Sequence, residues 1–350
     1  QQALRSMQLQ LRSIKEANIA LQQDNQELKA QIPKRRQQTI PDEISAHDVD
    51  VQTFARMYGV MTEMFPPSST ILQKPQPLTQ GQSFLTDERY ETALAEEKAI
   101  LEELYHQLPQ KLHHLVPTRH FSDLLETTCS SSRSTEVHKL RTVFGNIIEL
   151  PYEYFTSIEY DRLSVPAIRR CLFVNPDDPN KYVLFPPILF PNLRWNASLK
   201  NIFGNWEVFA KIAKAVLFGK TSLAHGNTRS SGGPKPNGKI WGVVSCTPGL
   251  FAWCCIIAIF LVSPDKGLTR DLKLGMQSKM NYPSMFYNYK KLLIRSWDTP
   301  RLRNIISKFN TFVFGASGPL FRDDGATEDF SMAMETAMAA LDMDQGSESD

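Results

Sequence analysis

The octapeptide GPKPNGKI, Gly233 to Ile240, fits the spacing G-x-x-x-x-G-K of a phosphate-binding loop through its seventh position. In such a loop backbone N–H groups cradle phosphate oxygens, the lysine reaches the outer phosphates, and the next residue's hydroxyl holds magnesium. Here the eighth position is Ile240, which has no hydroxyl, and Pro234 and Pro236 occupy positions that should present N–H groups. The polar run AHGNTRSSG precedes the motif in place of a buried strand. The match is therefore expected to carry no nucleotide chemistry.

Other reactive residue types are scattered. Cys129, Cys171, Cys246, Cys254 and Cys255 form no C-x-x-C pair and no zinc spacing. An odd count in a chain of 350 residues reads as reduced, buried thiols of an intracellular protein, nuclear or cytoplasmic. Seven histidines include the His113–His114 pair but no H-E-x-x-H, and no G-x-S-x-G occurs. The carboxylates of AEEKAILEE are expected on a solvated helix face. No catalytic residue, metal site or cofactor is predicted, and the chain reads as a non-enzymatic protein.

Charge distribution is the stronger signal. The chain's net charge is only +2, yet residues 208–308 hold sixteen Lys and Arg against Asp265, Asp271 and Asp298, with no acid from 208 to 264. Such a half-domain attracts polyanions through phosphate contacts and counterion release. The candidate DNA or RNA contacts are Lys220, Arg229, Lys235, Lys239, Lys290, Lys291 and Arg295, with aromatics interleaved in YPSMFYNYKK. The competing reading is that these cations pair with acids of the same chain.

The elements that must position these residues are mainly helical. With Leu4 at heptad position a, the seam runs Leu4, Met7, Leu11, Ile14, Asn18, Leu21, Asn25, Leu28 and Ile32, and Pro33 ends it. Two asparagines at a favour a parallel two-stranded coiled coil, each facing its twin. The predicted division is therefore a homodimeric coiled coil over 1–33, a linker over 34–46, a helical part over 47–150, a core with the basic half over 151–315 and an acidic tail over 316–350. The chain opens on Gln1 and reads as a fragment or processed form; its first thirty residues show no apolar run of a secretory signal.

Within the helical part, Val51, Phe54, Tyr58, Met61 and Phe65 recur at helical spacing. Thr86 is expected to cap a helix over 87–107 whose apolar face includes Tyr90, Leu94, Ile100, Leu101 and Leu104. Two helices are expected at 120–128 and 134–149. AIRRCLFV and KYVLFPPILF, around NPDDPN, read as a short β-hairpin near 167–186, its second arm limited by Pro186 and Pro187. NWEVFAKIAKAVLF is a helix stopped by Gly219, and two more helices are expected at 283–295 and 300–314.

The uncharged stretch from Trp241 to Val262 is broken by Thr247-Pro248, a good cap and first-turn pair. That leaves a helix about 22 Å long, short of a ~30 Å hydrocarbon core, so no membrane span is predicted. WGVV before it reads as buried and extended. The tail from Arg322 has nine acids against one base; alone it cannot build a core, and it is expected to be disordered or to form a helix on a protein partner.

The phrases MTEMFPPSS, LFGKTSLAHGNTRSSGGPKPNGKIWGVVSCTPGLFAW, FLVSPD, NYPSMFYNYKKLL and FNTFVFG together resemble a lineage-expanded domain family of mushroom-forming basidiomycete fungi. The resemblance covers roughly residues 150–315 and reaches back to about 50. It implies a soluble, mainly helical domain and assigns no activity, cofactor or binding residue to any position.

The reading is a binding or scaffold protein that contacts nucleic acid through 208–308. The alternative is a protein-interaction module, dimerised by the zipper, without nucleic-acid contact. Deleting residues 1–33 should convert a dimer to a monomer in light scattering; an unchanged mass would refute the zipper.

Overall fold

The computed structural model describes residues 42–77, 83–178, 181–223, 235–268 and 274–315, together with Lys15. The seam residues from Leu4 to Ile32, Arg229 and the tail beyond Gly315 lie outside the described residues. Two units are distinguished, 1–46 and 47–350. In the first, Asp42–Ser45 forms one helical turn.

In the second unit the longer helices among the described residues are α1 (Asp48–Met61), α2 (Ala93–Gln107), α3 (Arg119–Arg141), α4 (Trp206–Phe218), α5 (Pro248–Val262), α6 (Tyr282–Ser296) and α7 (Pro300–Phe314). Shorter turns join them, and no strand occurs among the described residues. The chain is mainly helical.

The core is built around α5. All of its fifteen residues are buried, so no side faces water. Thr247 starts it as expected: its hydroxyl accepts from the Leu250 N–H at 3.0 Å and donates to the Met61 carbonyl, with Pro248 in the first turn. Ser263-Pro264 ends it. At fifteen residues it falls short of a bilayer's width, and no helix among the described residues is long and apolar enough to cross a membrane. Around it pack α1, α3, α4, α6 and the short helix Pro166–Leu172. Each Ile, Leu or Phe it buries contributes about 1.5–3 kcal/mol.

Several local expectations are corrected. Among the described residues of 167–186 no hairpin strand occurs: Pro166 sits at the first position of the helix Pro166–Leu172. Pro186 and Pro187 have no N–H to offer a ladder. The two arms meet by side chains instead, the Phe173 and Tyr182 rings lying 5.0 Å apart. The break expected between helices 120–128 and 134–149 is not there: α3 continues through SSSRS to Arg141, and the end of the second expected helix forms a separate short helix, Phe144–Ile148. The buried stripe Phe121, Leu125, Cys129, Val137 and Leu140 keeps its period across the serines, and packing outweighs their weak propensity.

Thr86 precedes only a 3-10 turn, Asp87–Tyr90, and α2 begins later. Thr92 is its cap, accepting from the Ala95 N–H at 3.0 Å. Leu94, expected on the apolar face, is 71% exposed, while Leu101 and Leu104 are buried. WGVV is not buried: Val244 is 53% exposed and Gly242 turns the chain at φ 64. Gly219 ends α4 at φ 86 with its N–H on the Ala215 carbonyl, as expected of a C-terminal glycine.

Gly249 shows how tightly α5 meets α1. A Cβ there would lie under 3.0 Å from the carbonyl oxygens of Met61 and Thr62. Both belong to backbone at the end of α1, which cannot swing aside as a side chain can. Gly249→Ala should therefore cost on the order of 3 kcal/mol in urea unfolding. A loss below about 0.5 kcal/mol would contradict this contact.

Candidate functional site

The structure sorts the basic region into two groups by what faces each cation. On α6, the apolar stripe Met285, Phe286, Tyr289, Leu293 and Ile294 is buried, and Lys290 lies within it at 2% exposure. This corrects the expectation of a surface lysine. Its ammonium donates to Glu63 at 2.7 Å, to Glu103 at 2.8 Å and to the Thr62 carbonyl at 3.0 Å. No edge of it is open to a phosphate.

Arg89 completes this cluster. It reaches Glu103 through Nη1 at 2.6 Å and Glu63 through Nη2 at 2.8 Å, and itself is 3% exposed. Two cations and two carboxylates thus alternate in a closed, neutral ring. Burial pushes the Glu103 carboxyl up, but Lys290 and Arg89 outweigh it and hold it below the usual carboxylate range. The carboxylates of AEEKAILEE are therefore not all on a solvated face, since Glu102 and Glu103 are both buried.

The neighbouring candidates are also engaged. Lys291 lies 5.1 Å over the Tyr90 ring and 5.8 Å over Tyr287. Arg295 pairs with Asp87 at 3.1 Å. Farther along, Arg303 pairs with Asp298 at 3.0 Å, and Arg301 donates to the Ile202 carbonyl at 2.9 Å.

A second group stays on the surface. It gathers where α4 ends, a place that favours cations because the last carbonyls carry partial negative charge. Lys220 is exposed on the turn Lys220–Leu223, which packs on α4. Lys235 and Lys239 are exposed around the short helix Asn237–Ile240. That helix is tied to α4 by the Asn237 amide on the Val216 carbonyl at 3.2 Å. Gly238 permits the approach, since a Cβ would meet the Phe218 ring at 2.8 Å. On the adjoining surface Lys214 covers the Phe312 ring at 4.7 Å, and Lys308 is exposed one turn earlier on α7. Among the described residues, none of Lys214, Lys220, Lys235, Lys239 and Lys308 has an acidic partner within ion-pair distance. Ile240, at 52% exposure, sits among them.

The octapeptide at 233–240 is thus not a phosphate cradle where it is described. It ends in a four-residue helix whose glycine serves packing against Phe218. Among the other buried polar groups, Asp265 is held by structural partners. The Asp265 carboxylate accepts from the N–H groups of Gln277 (2.8 Å) and Ser278 (3.1 Å), from the Tyr282 hydroxyl (2.7 Å) and from the Ser278 hydroxyl. Burial alone would push its carboxyl up; these donors outweigh that and hold it below the ordinary range.

Arg133 and Arg141 of α3, together with Arg162, catch the carbonyls of the chain leaving α5. Arg162 donates to Ser263 (2.5 Å) and Asp265 (2.9 Å), Arg133 to Leu268 (3.3 Å), and Arg141 to Lys266 (3.4 Å). All five cysteines are buried thiols, and burial pushes Cys171 up to about 12, away from thiolate chemistry. Among the described residues no three His, Cys, Asp or Glu side chains converge to hold a metal.

Residues 169–314 match the model of a family of unknown function (DUF6698). The match begins inside the helix Pro166–Leu172 and ends with α7, so it takes in α4 to α7 and the lysine face, while Glu63, Arg89 and Glu103 come from outside it. No curated protein and no solved structure matches the chain.

Sequence reasoning missed the ring because its pairs are separated by 14 to 227 residues. One signal was present: Lys290 is four residues after Phe286 and falls on the apolar stripe of α6. Lys290→Met should cost about 3–5 kcal/mol, because two buried carboxylates would then share Arg89 alone. The Glu103 contribution in the native chain is fully present above the ordinary value of 4.5 and is lost as pH falls through the lower folded value. In urea unfolding against pH, the acid loss of stability should begin at higher pH in Lys290→Met than in the native chain. Superimposable profiles would contradict the ring.

Proposed function

We propose that the chain is a non-enzymatic binding protein whose lysine face at the end of α4 contacts a polyanion, nucleic acid in the first instance. The observation that carries the reading is the sorting itself. Lys290, Lys291 and Arg295 are taken up by groups of the same chain, whereas Lys220, Lys235 and Lys239 are exposed without an acid among the described residues. Exposed lysines clustered on a rigid support give a field that counterion release converts into binding. Arg229, which lies between Lys220 and Lys235 in the sequence, is counted with them.

The zipper over 1–33 would pair two such faces, and two linked weak sites bind one long polyanion far more tightly than either alone. The acidic tail, in this reading, meets a protein partner, and the protein works inside the cell, in nucleus or cytoplasm. Exposed Ile240 and Val244 beside Lys239 favour a second reading, in which the same face docks on an acidic protein surface.

Fluorescence anisotropy with labelled duplex DNA and single-stranded RNA, titrated against salt, separates the two. The triple change Lys220→Gln, Lys235→Gln, Lys239→Gln should weaken binding at least about tenfold and lower the salt slope by about 2–3. Lys291→Gln with Arg295→Gln should leave both nearly unchanged. No binding at low salt, or equal losses in the two variants, would remove the nucleic-acid reading and leave the protein partner.

A further inference from the structure

A cleft of about 450 Å³ opens on the surface between the end of the helix Pro166–Leu172 and the turn Pro191–Trp195. Its walls are apolar: Phe173, Val174, Pro176, Pro187, Leu193 and Trp195. Its charged side chains are Arg170 and Arg194, both exposed. The volume lies within the range of small-molecule sites, which pair apolar walls with a few placed polar groups.

Two observations point to a ligand rather than to packing. Neither arginine has an ion pair or a side-chain hydrogen bond among the described residues, although Asp177 and Asp178 follow Pro176 in the chain. Asn192 and Leu193 stand in the left-handed region at φ 53 and φ 56, where side-chain-bearing residues are uncommon. Backbone strain of this kind gathers at ligand clamps. Here it shapes the turn that carries Leu193, Arg194 and Trp195 into the cleft wall.

We infer that this cleft binds a small oxyanion carrying an apolar ring, a carboxylate or a phosphate monoester. The two guanidinium forks hold the oxyanion, for which their planar donors are suited. The Phe173, Trp195 and proline walls enclose the ring. The site is separate from the lysine face in its residues, and it stands whether or not that face binds nucleic acid.

The full chain, with its tryptophans ¹⁵N-labelled, is titrated with phenylacetate and with phenyl phosphate while indole N–H signals are followed by NMR. Trp195→Phe assigns the signal of Trp195. Either probe should move that signal saturably, with a Kd below about 1 mM, and comparison of the two identifies the anion. Neutral phenylacetamide, and the double change Arg170→Gln with Arg194→Gln, should weaken binding at least about tenfold. The lysine triple change should leave it unaltered. No saturable movement with either anion would overturn the site, as would equal binding of the amide or indifference to the arginine changes. A native far-ultraviolet dichroism spectrum of the arginine variant ensures that a loss reports the cleft and not unfolding.

Discussion

A helix with no polar side must be covered all round, and Pro248–Val262 imposes that demand on the second unit. Fifteen consecutive buried residues leave no direction in which water can approach. The cover comes from α1, α3, α4, α6 and the short helix Pro166–Leu172. The helix start is locked through Thr247 and Gly249 to the end of α1, and its exit is caught by Arg133, Arg141 and Arg162. Residues far apart in sequence are thus held at fixed places by one apolar rod.

The same demand explains the fate of the charges. Where α6 turns inward to cover α5, Lys290 goes in with it, and a buried ammonium is tolerable only with full compensation. Glu63 and Glu103 provide it, and Arg89 balances them in turn. Where α4 ends at the surface no such compensation is required, so its lysines keep their charge facing water. A net basic half-domain therefore presents a smaller basic face than its composition implies.

Periodicity made the helices legible in the sequence: α4 to α7 follow from apolar spacing, Thr-Pro starts and glycine stops. The departures have physical causes. The serine run in α3 reads as a break only if propensity is weighed above the buried stripe on either side of it. The hairpin reading gave β-branched and aromatic residues more weight than Pro166, which starts a helix. In the candidate site, exposure of Lys220, Lys235 and Lys239 follows from their polar, glycine-rich surroundings. The ring of Glu63, Arg89, Glu103 and Lys290 does not, because a pair closed across more than two hundred residues leaves no local spacing to read.

Native-state hydrogen exchange on the backbone amides from Phe251 to Val262 tests the central claim most directly. If α5 is the rod on which the unit is built, these amides open only when the whole unit unfolds. Their exchange free energies should then equal the global value from urea unfolding, and a destabilising change anywhere in the cover should lower all of them together. Exchange through openings well below the global free energy, with α1, α4 and α6 still protected, would contradict the account.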